Sequence, residues 1–337
     1  MKRVSARARR VASRLGSVGL VLLAAATALA FARPSARYAT KPFARFTALR
    51  AASSADAFGR SGGVKVRLTL PGESLEFPLG VSDPARVRYT WVRLADSVAV
   101  GDSLPLGGAL VRSPMLPGFY RLALVRDGSE QEVLPEPVLG VMVPFTEKRG
   151  ATLNGYRIGT YLSERIGIAS DRPEGFLPVG QGELELRVST HLRLSDFLSH
   201  DEQQRDVWPK YVALSPRLLD KLELVVLEVE RLRGARRGRD LALDVHSGFR
   251  TPAHNGRVRS AARDSRHQYG DAADVVMDAN GDGRITASDG TLVARAVDAV
   301  ERANPDLAGG LGLYTSARFR RPYVHIDARG TRSRWRG

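Results

Sequence analysis

Two hydrophobic rhythms divide the chain. Between residues 63 and 144 the apolar positions alternate in short runs. Val64–Leu70, Val87–Val92 and Tyr120–Val125 put every second side chain on one face, and Asp127-Gly128 after the third run has the form of a hairpin turn. Cut by Pro and Gly, these runs predict a small all-β, sandwich-like domain over 61–145. Residues 146–190 read as a connector that contains Leu153–Gly159. Beyond it a longer period takes over. Ser215-Pro216 supplies a helix N-cap and a proline at the first helical position, and Leu218, Leu219, Leu222, Val225, Val226, Val229 and Leu232 form the apolar stripe. Gly234 closes that helix. Leu241, Leu243 and Val245 alternate as a strand, and a second helix is predicted over Ala287–Ala303. The domain over 191–337 is therefore α+β.

The N-terminus changes the picture of where this chain works. Lys2, Arg3, Arg7, Arg9, Arg10 and Arg14 precede an uncharged, mostly apolar run over Leu15–Ala32, which ends in the small-x-small triplets Ala28–Ala30 and Ala30–Ala32. This is the pattern of an export signal. The run also has about the length of a membrane helix, so residues 1–32 are a cleaved signal peptide or an uncleaved signal anchor. Both place the remainder outside the cytoplasm, in the periplasm or cell envelope, with the membrane touched only by that segment. Residues 33–60 are rich in Ala, Arg and Ser and read as a linker.

Of the formal charge of +15, six units lie before residue 33, leaving +9 for the rest. A basic exported chain suits an anionic partner such as a cell-wall polymer. Nucleic acid is disfavoured by the export pattern and by the lack of a recognisable binding motif. With no cysteine, the chain has no disulfide, no thiolate metal site and no lipoprotein anchor. Any transition metal must be held by nitrogen and oxygen.

All six histidines, at 191, 200, 246, 254, 267 and 325, lie in the last domain. Within it, Ser247–Asn255 follows the predicted strand and would present Arg250 at its end, to hold a substrate carboxylate or oxyanion or to cap backbone carbonyls. In His267-x-x-Gly270-x-Ala272-x-Asp274 the small residues allow a tight turn that faces both outer side chains toward one point. Asp271 is the weaker candidate, because Asp274 stands at the start of a predicted strand over Ala273–Met277. His325, in Tyr323-Val-His-Ile-Asp327, arrives from the far end of the domain. Two imidazoles and one carboxylate form a three-ligand zinc set that leaves a fourth position for water.

Together these motifs resemble those of the zinc D-Ala-D-Ala metallopeptidase family, in its branch of murein endopeptidases and peptidoglycan-trimming enzymes. The resemblance covers about 191–337. It rests on Ser247-Gly-Phe-Arg-Thr-Pro-x-x-Asn255, Ser265-Arg-His-x-x-Gly-x-Ala-x-Asp274, Gly310-Leu-Gly-Leu-Tyr314, and Val324-His-Ile-Asp327 with Arg329-Gly330. It implies a small antiparallel sheet with flanking helices, as in the signalling domain of hedgehog proteins. It also implies His267, Asp274 and His325 as zinc ligands, Arg250 as polarising cation, and hydrolysis of peptidoglycan stem peptides or cross-links, by a carboxypeptidase or an endopeptidase. Such enzymes often carry a catalytic Glu three residues, or a His two residues, before the last ligand. Here those positions hold Pro322 and Tyr323. Asp327 lies on the same strand face as His325 and is the nearest substitute base, with orientation of His325 from behind as its other role. The missing base leaves a second reading, a catalytically inactive peptidoglycan-binding module with structural metal sites. The β-rich region, which carries no histidine, fits a spacer or wall-binding role. Tyr269 and Tyr323 are candidate substrate-binding residues, with Trp208 and Tyr314 as further candidates for the groove.

A second motif is independent of this resemblance. Asp278, Asn280, Asp282, Arg284 (through its backbone carbonyl), Thr286 and Asp289 occupy positions 1, 3, 5, 7, 9 and 12 of a calcium-type loop, with Gly283 at position 6. A structural Ca2+ at 278–289 is the expectation, with Asp replacing the usual Glu at position 12. A bare Asp/Asn/Gly turn is the alternative.

Overall fold

The computed structural model describes residues 58–77, 83–107, 110–126, 131–167, 172–234, 241–259, 261–316, 319 and 321–337. The export-type segment, most of the linker and the Asp127-Gly128 turn lie outside the described residues.

The alternating runs become strands. β1 (Val66–Thr69), β2 (Ser74–Glu76), β3 (Val87–Arg93), β4 (Ala99–Pro105), β5 (Leu110–Arg112), β6 (Gly118–Arg126), β7 (Glu132–Val133) and β8 (Val138–Val141) form the first part of the fold. Six of them make a sheet in the order β1-β8-β6-β3-β4, with β7 beside β6, and β2 pairs with β5 as a separate ribbon. The period of two explains how both sheet faces are used. Tyr120, Leu122 and Leu124 of β6 join Tyr89, Trp91, Phe77 and Val111 in a core beneath the ribbon. Phe119 of β6, Val66 of β1 and Val138 of β8 belong instead to the larger core that continues past residue 191. The second layer of the expected sandwich is thus only a two-stranded ribbon, and the opposite face of the sheet is covered by the rest of the fold. The ribbon is fixed by the polar tips of two aromatic side chains: the Trp91 indole donates to the Arg112 carbonyl at 2.7 Å and the Tyr89 hydroxyl accepts from the Arg112 amide at 2.8 Å.

The connector contributes β9 (Val143–Pro144), the hairpin β10 (Thr152–Leu153) and β11 (Tyr156–Arg157), and β12 (Gly175–Val179). β12 lies between β9 and β13 (Lys210–Val212). Helix α1 spans Pro216–Arg233, bounded by Ser215 and Gly234 as the sequence pattern predicts. Helix α2 spans Ala287–Ala303, and at its start Asp289 accepts the Thr286 amide at 2.8 Å. Among the described residues no helix is long and apolar enough to cross a membrane.

The five-stranded sheet that carries the site runs β14 (Asp244–Ser247), β15 (Ala272–Val276), β17 (Tyr323–Asp327), β16 (Gly310–Tyr314), β18 (Ser333–Arg336). Its pairs are antiparallel except β16 with β18. The expected strand at Leu241 begins later, at Asp244. Helices α1 and α2 pack on each other, and α2 lies on β16 and β17. Ala273 and Val275 of β15 and Val324 and Ile326 of β17 point into this core. Alternation sends Asp274, Tyr323, His325 and Asp327 to the opposite face. The fold is α+β.

Lys221 of α1 is fully buried and lies 2.8 Å from Glu301 of α2 and 2.6 Å from the Asp327 carbonyl. Burial pushes its ammonium below the usual lysine value, and the hydrogen bond and charge of Glu301 pull it back. Arg334 of β18 binds the other oxygen of Glu301. The buried Lys221–Glu301 pair thus joins the two helices to each other, to the end of β17 through Lys221 and to β18 through Glu301.

Candidate metal centre

His267 sits in a short 3-10 turn, Arg266–Tyr269, that ends on Gly270 at φ 70°. Glycine is required there, since a Cβ would lie 2.2 Å from the Ala213 carbonyl oxygen. The turn delivers the chain into β15, where Asp274 pairs with His325 of β17 across the ladder. Three residues separated by up to 58 positions therefore meet by adjacency of two strands and one turn.

The protons on the two imidazoles follow from their outer partners. His267 Nδ1 lies 2.7 Å from the Gly248 carbonyl, which can only accept, so Nδ1 carries the hydrogen and Nε2 presents a lone pair inward. Arg250 clamps the same turn by donating its amide to the His267 carbonyl at 3.0 Å. His325 Nε2 lies 3.2 Å from Asp327 Oδ2, so that nitrogen donates outward and Nδ1 faces inward. The inward atoms form a triangle. His267 Nε2 to His325 Nδ1 is 3.2 Å, His325 Nδ1 to Asp274 Oδ1 is 2.9 Å, and His267 Nε2 to Asp274 Oδ1 is 3.3 Å. Ligands about 2.0–2.1 Å from a tetrahedral ion stand roughly 3.3 Å apart, so the triangle has the dimensions such an ion needs. In these tautomers three acceptor atoms converge, and a bound cation would satisfy all of them. All three residues are buried, and they form a group able to hold a metal ion.

Electrostatics agree. Burial pushes the His267 imidazole down, which favours the neutral ligand form. Burial works to raise Asp274, but the two facing histidines outweigh it and hold the carboxyl well below the usual carboxylate range. His325 is pulled up, against burial, by Asp274 and Asp327.

Residues 215–297 match the model of the Peptidase M15 family. This segment is thus similar to the Peptidase M15 family. It begins at the N-cap of α1, includes Arg250, His267 and Asp274, and ends within α2, before His325. A comparison with curated proteins finds no match.

In the matched segment and the strands beyond it, a cleft of about 780 Å³ opens over the His267, Asp274 and His325 group. Arg250 lines it, with Nη2 on Asp274 Oδ2 at 2.6 Å and Nε on Ser247 Oγ at 2.8 Å. The guanidinium thus holds the outer oxygen of the ligand carboxylate while bordering the cleft. Tyr323 also lines the cleft, stacked on Tyr314 with ring centroids 4.5 Å apart and an interplanar angle of 7°. Phe319 completes that aromatic wall. His246, at the bulge of β14, approaches its edge with its ring centroid 6.0 Å from that of Tyr323.

Two expected roles are corrected. Asp327 does not stand with the three converging atoms: it meets Nε2 on the far side of the His325 ring, while Nδ1 faces Asp274. Its oxygens are occupied by His325 Nε2, the Gly310 amide at 2.7 Å and the Arg329 guanidinium, and the residue is fully buried. Asp327 orients His325 from behind. Tyr269 does not border the cleft. The 3-10 turn aims its ring at Tyr161, centroids 5.7 Å apart, and its hydroxyl at Asp264. Trp208 also lies elsewhere, beneath Lys210 Nζ at 4.8 Å. Of the other histidines, His191 Nδ1 pairs with Glu223 at 2.7 Å and His254 Nδ1 with Ser199 at 2.9 Å.

Sequence reasoning missed Trp335. Its ring lies 5.1 Å from that of His325, it lines the cleft, and its indole donates to the Tyr314 hydroxyl at 2.9 Å. The available signal was Gly310-x-Gly312. These glycines share one face of β16, and a Cβ on Gly312 would lie 2.4 Å from the Trp335 nitrogen. The slot exists to receive an aromatic ring from β18.

The 278–289 loop connects β15 to α2. Asp278 accepts from the amides of Gly281, Asp282 and Gly283 at 2.9, 3.1 and 2.8 Å, and Asp289 from those of Asn280 and Thr286 at 3.0 and 2.8 Å. Asn280 Nδ2 donates to Asp282 at 3.0 Å. Among the described residues, Asp278, Asp282 and Asp289 do not gather into a metal-holding group. These hydrogen bonds hold the loop as a tight turn.

The outer contact on His325 yields a prediction. In Asp327→Asn a neutral amide replaces the accepting carboxylate, and zinc affinity is expected to fall by ~10–100-fold, the range for lost outer partners of ligating histidines. Competition against a chromogenic chelator measures it. An unchanged affinity would remove the orienting role.

Proposed function

We propose that the C-terminal domain is a zinc-dependent peptidase that hydrolyses amide bonds in peptidoglycan stem peptides or cross-links, outside the cytoplasm. The observation that carries this reading is the convergence of His267 Nε2, His325 Nδ1 and Asp274 Oδ1 within 3.3 Å of one another at the floor of an open cleft. Two nitrogens and one oxygen favour zinc, and three protein ligands are the catalytic pattern. The peptidase family of the matched segment supports the reaction type. The export-type N-terminus and the positive charge support the location and the wall substrate.

Zinc held there would acidify a water and polarise the scissile carbonyl. The chain's own residues do the rest. Gly248 and Asp327 fix the two imidazoles in the ligating tautomer. Arg250 restrains Asp274 and borders the cleft, where its cationic edge would share the charge of the carbonyl oxygen. Tyr314, Phe319, Tyr323 and Trp335 give the peptide an apolar wall and limit water.

The rival reading, a wall-binding module without catalysis, is favoured by Pro322 and Tyr323 at the positions of the usual base and by the withdrawal of Asp327 behind His325. Incubation of the zinc-loaded protein with purified peptidoglycan, followed by mass spectrometry of the soluble products, separates the two. New peptide fragments that vanish on chelation and return with zinc are expected. Retention on the polymer with no new product would replace the peptidase reading by the binding one.

A further inference from the structure

Among the described residues the cleft is lined by four arginines, Arg250, Arg259, Arg266 and Arg329, and by two aspartates, Asp264 and Asp274. Three of the arginines are engaged. Arg250 holds Asp274, Arg266 holds Asp271, and Arg329 holds Asp327. Asp264 accepts from the Tyr269 hydroxyl. Arg259 differs. It lies in the turn after the short helix Pro252–Asn255, is exposed, and has no hydrogen bond or ion pair with any described residue. Its neighbours on the cleft wall, Val258, Ala261 and Ala262, carry no charge that it could pair with. Among the described residues, with the other charges at the cleft paired or bonded, the charge left without a partner is that of the Arg259 guanidinium, which can reach a ligand.

We propose that Arg259 is a substrate-binding residue that pairs with a carboxylate of the peptide, and so sets a preference for anionic substrates. This rests on the peptidase reading. A guanidinium binds a carboxylate through two parallel hydrogen bonds, which gives direction as well as attraction. The partner is either the free C-terminal α-carboxylate or the side-chain carboxylate of an acidic residue in the stem peptide. The first would anchor a chain end. The second would leave the end free for a cross-link.

The test uses the full-length, zinc-loaded protein and its Arg259→Gln and Arg259→Lys variants. Three synthetic stem pentapeptides serve as probes: one with both carboxylates free, one amidated at the C-terminus, and one amidated at the acidic side chain. Binding is read by calorimetry and cleavage by product analysis on the same samples. The wild type is expected to bind the free peptide about tenfold more tightly than one of the two amides, the scale of one charge-assisted hydrogen-bonded pair. Arg259→Gln is expected to bind the free peptide and that amide alike, and Arg259→Lys to keep part of the difference. Loss of discrimination confined to the C-terminal amide identifies the chain end as the partner, and loss confined to the side-chain amide identifies the acidic residue. An Arg259→Gln protein that keeps the wild-type preference would overturn the proposal, as would a wild type that binds all three peptides equally or none of them. Binding that depends on Arg259 with no cleavage by the wild type would leave the carboxylate assignment standing and remove the peptidase reading.

Discussion

His267→Ala is expected to empty the metal centre and reduce peptide hydrolysis to background. The imidazole contributes one of three donor atoms, and its loss leaves Asp274 and His325 as a two-point site. Outer partners of ligating histidines are already worth ~10–100-fold in metal affinity, so a direct ligand must be worth more. The fold itself should survive. His267 lies on a turn at the cleft floor, and its hydrogen bond to Gly248 is one contact among several that hold this loop, including that from the Arg250 amide to the His267 carbonyl. Circular dichroism with zinc analysis and product analysis on one preparation separates the outcomes. A folded variant that binds no zinc yet cleaves at the wild-type rate would eliminate the mechanism.

The second large effect is expected on stability. In Lys221→Met the volume of the side chain is roughly kept while its charge is lost, so Glu301 stays buried without its one fully buried cationic partner and keeps only the partly exposed Arg334 and the more distant Arg332. Breaking a buried pair on one side costs ~3–5 kcal/mol, whereas replacing both partners by apolar groups is often near neutral. Lys221→Met is therefore expected to lose about 3 kcal/mol or more, a large part of an ordinary domain's 5–15 kcal/mol. Lys221→Met combined with Glu301→Leu should recover much of that loss. Urea denaturation of the three proteins measures it. A single variant within 1 kcal/mol of wild type would show that the pair does not hold α1, α2 and β17 together.

How much of this was legible in the sequence depends on the range over which each signal acts. The ends of α1 were readable because Pro216 and Gly234 are local stops, and Ala287–Ala303 was placed as the helix that follows the Asp-rich loop. The metal group was readable because its spacing carries chemistry. His267 and Asp274 are joined by one tight turn, and the alternation of β17 fixes the face of His325. The same alternation put Asp327 on that face, but a face does not say which ring nitrogen a carboxylate meets. That distinction reversed its role from base to orienting partner. Tyr269 was misplaced for a different reason. A 3-10 turn has no long period from which a side-chain direction can be read, and Gly270 turns the chain sharply after it. Trp335 was invisible because β18 joins β16 in parallel from the end of the chain, a pairing that no local pattern announces. The covering of the first sheet was lost likewise, since Phe119 and Val138 meet partners beyond residue 191.

The most direct measurement is the zinc content of the purified protein after dialysis into zinc-buffered solution, taken together with His267→Ala and Asp274→Ala. One zinc per chain in the wild type and none in either folded variant is the expected result. A wild type that holds no zinc, or variants that each retain a full equivalent, would contradict the claim that these side chains form a metal centre.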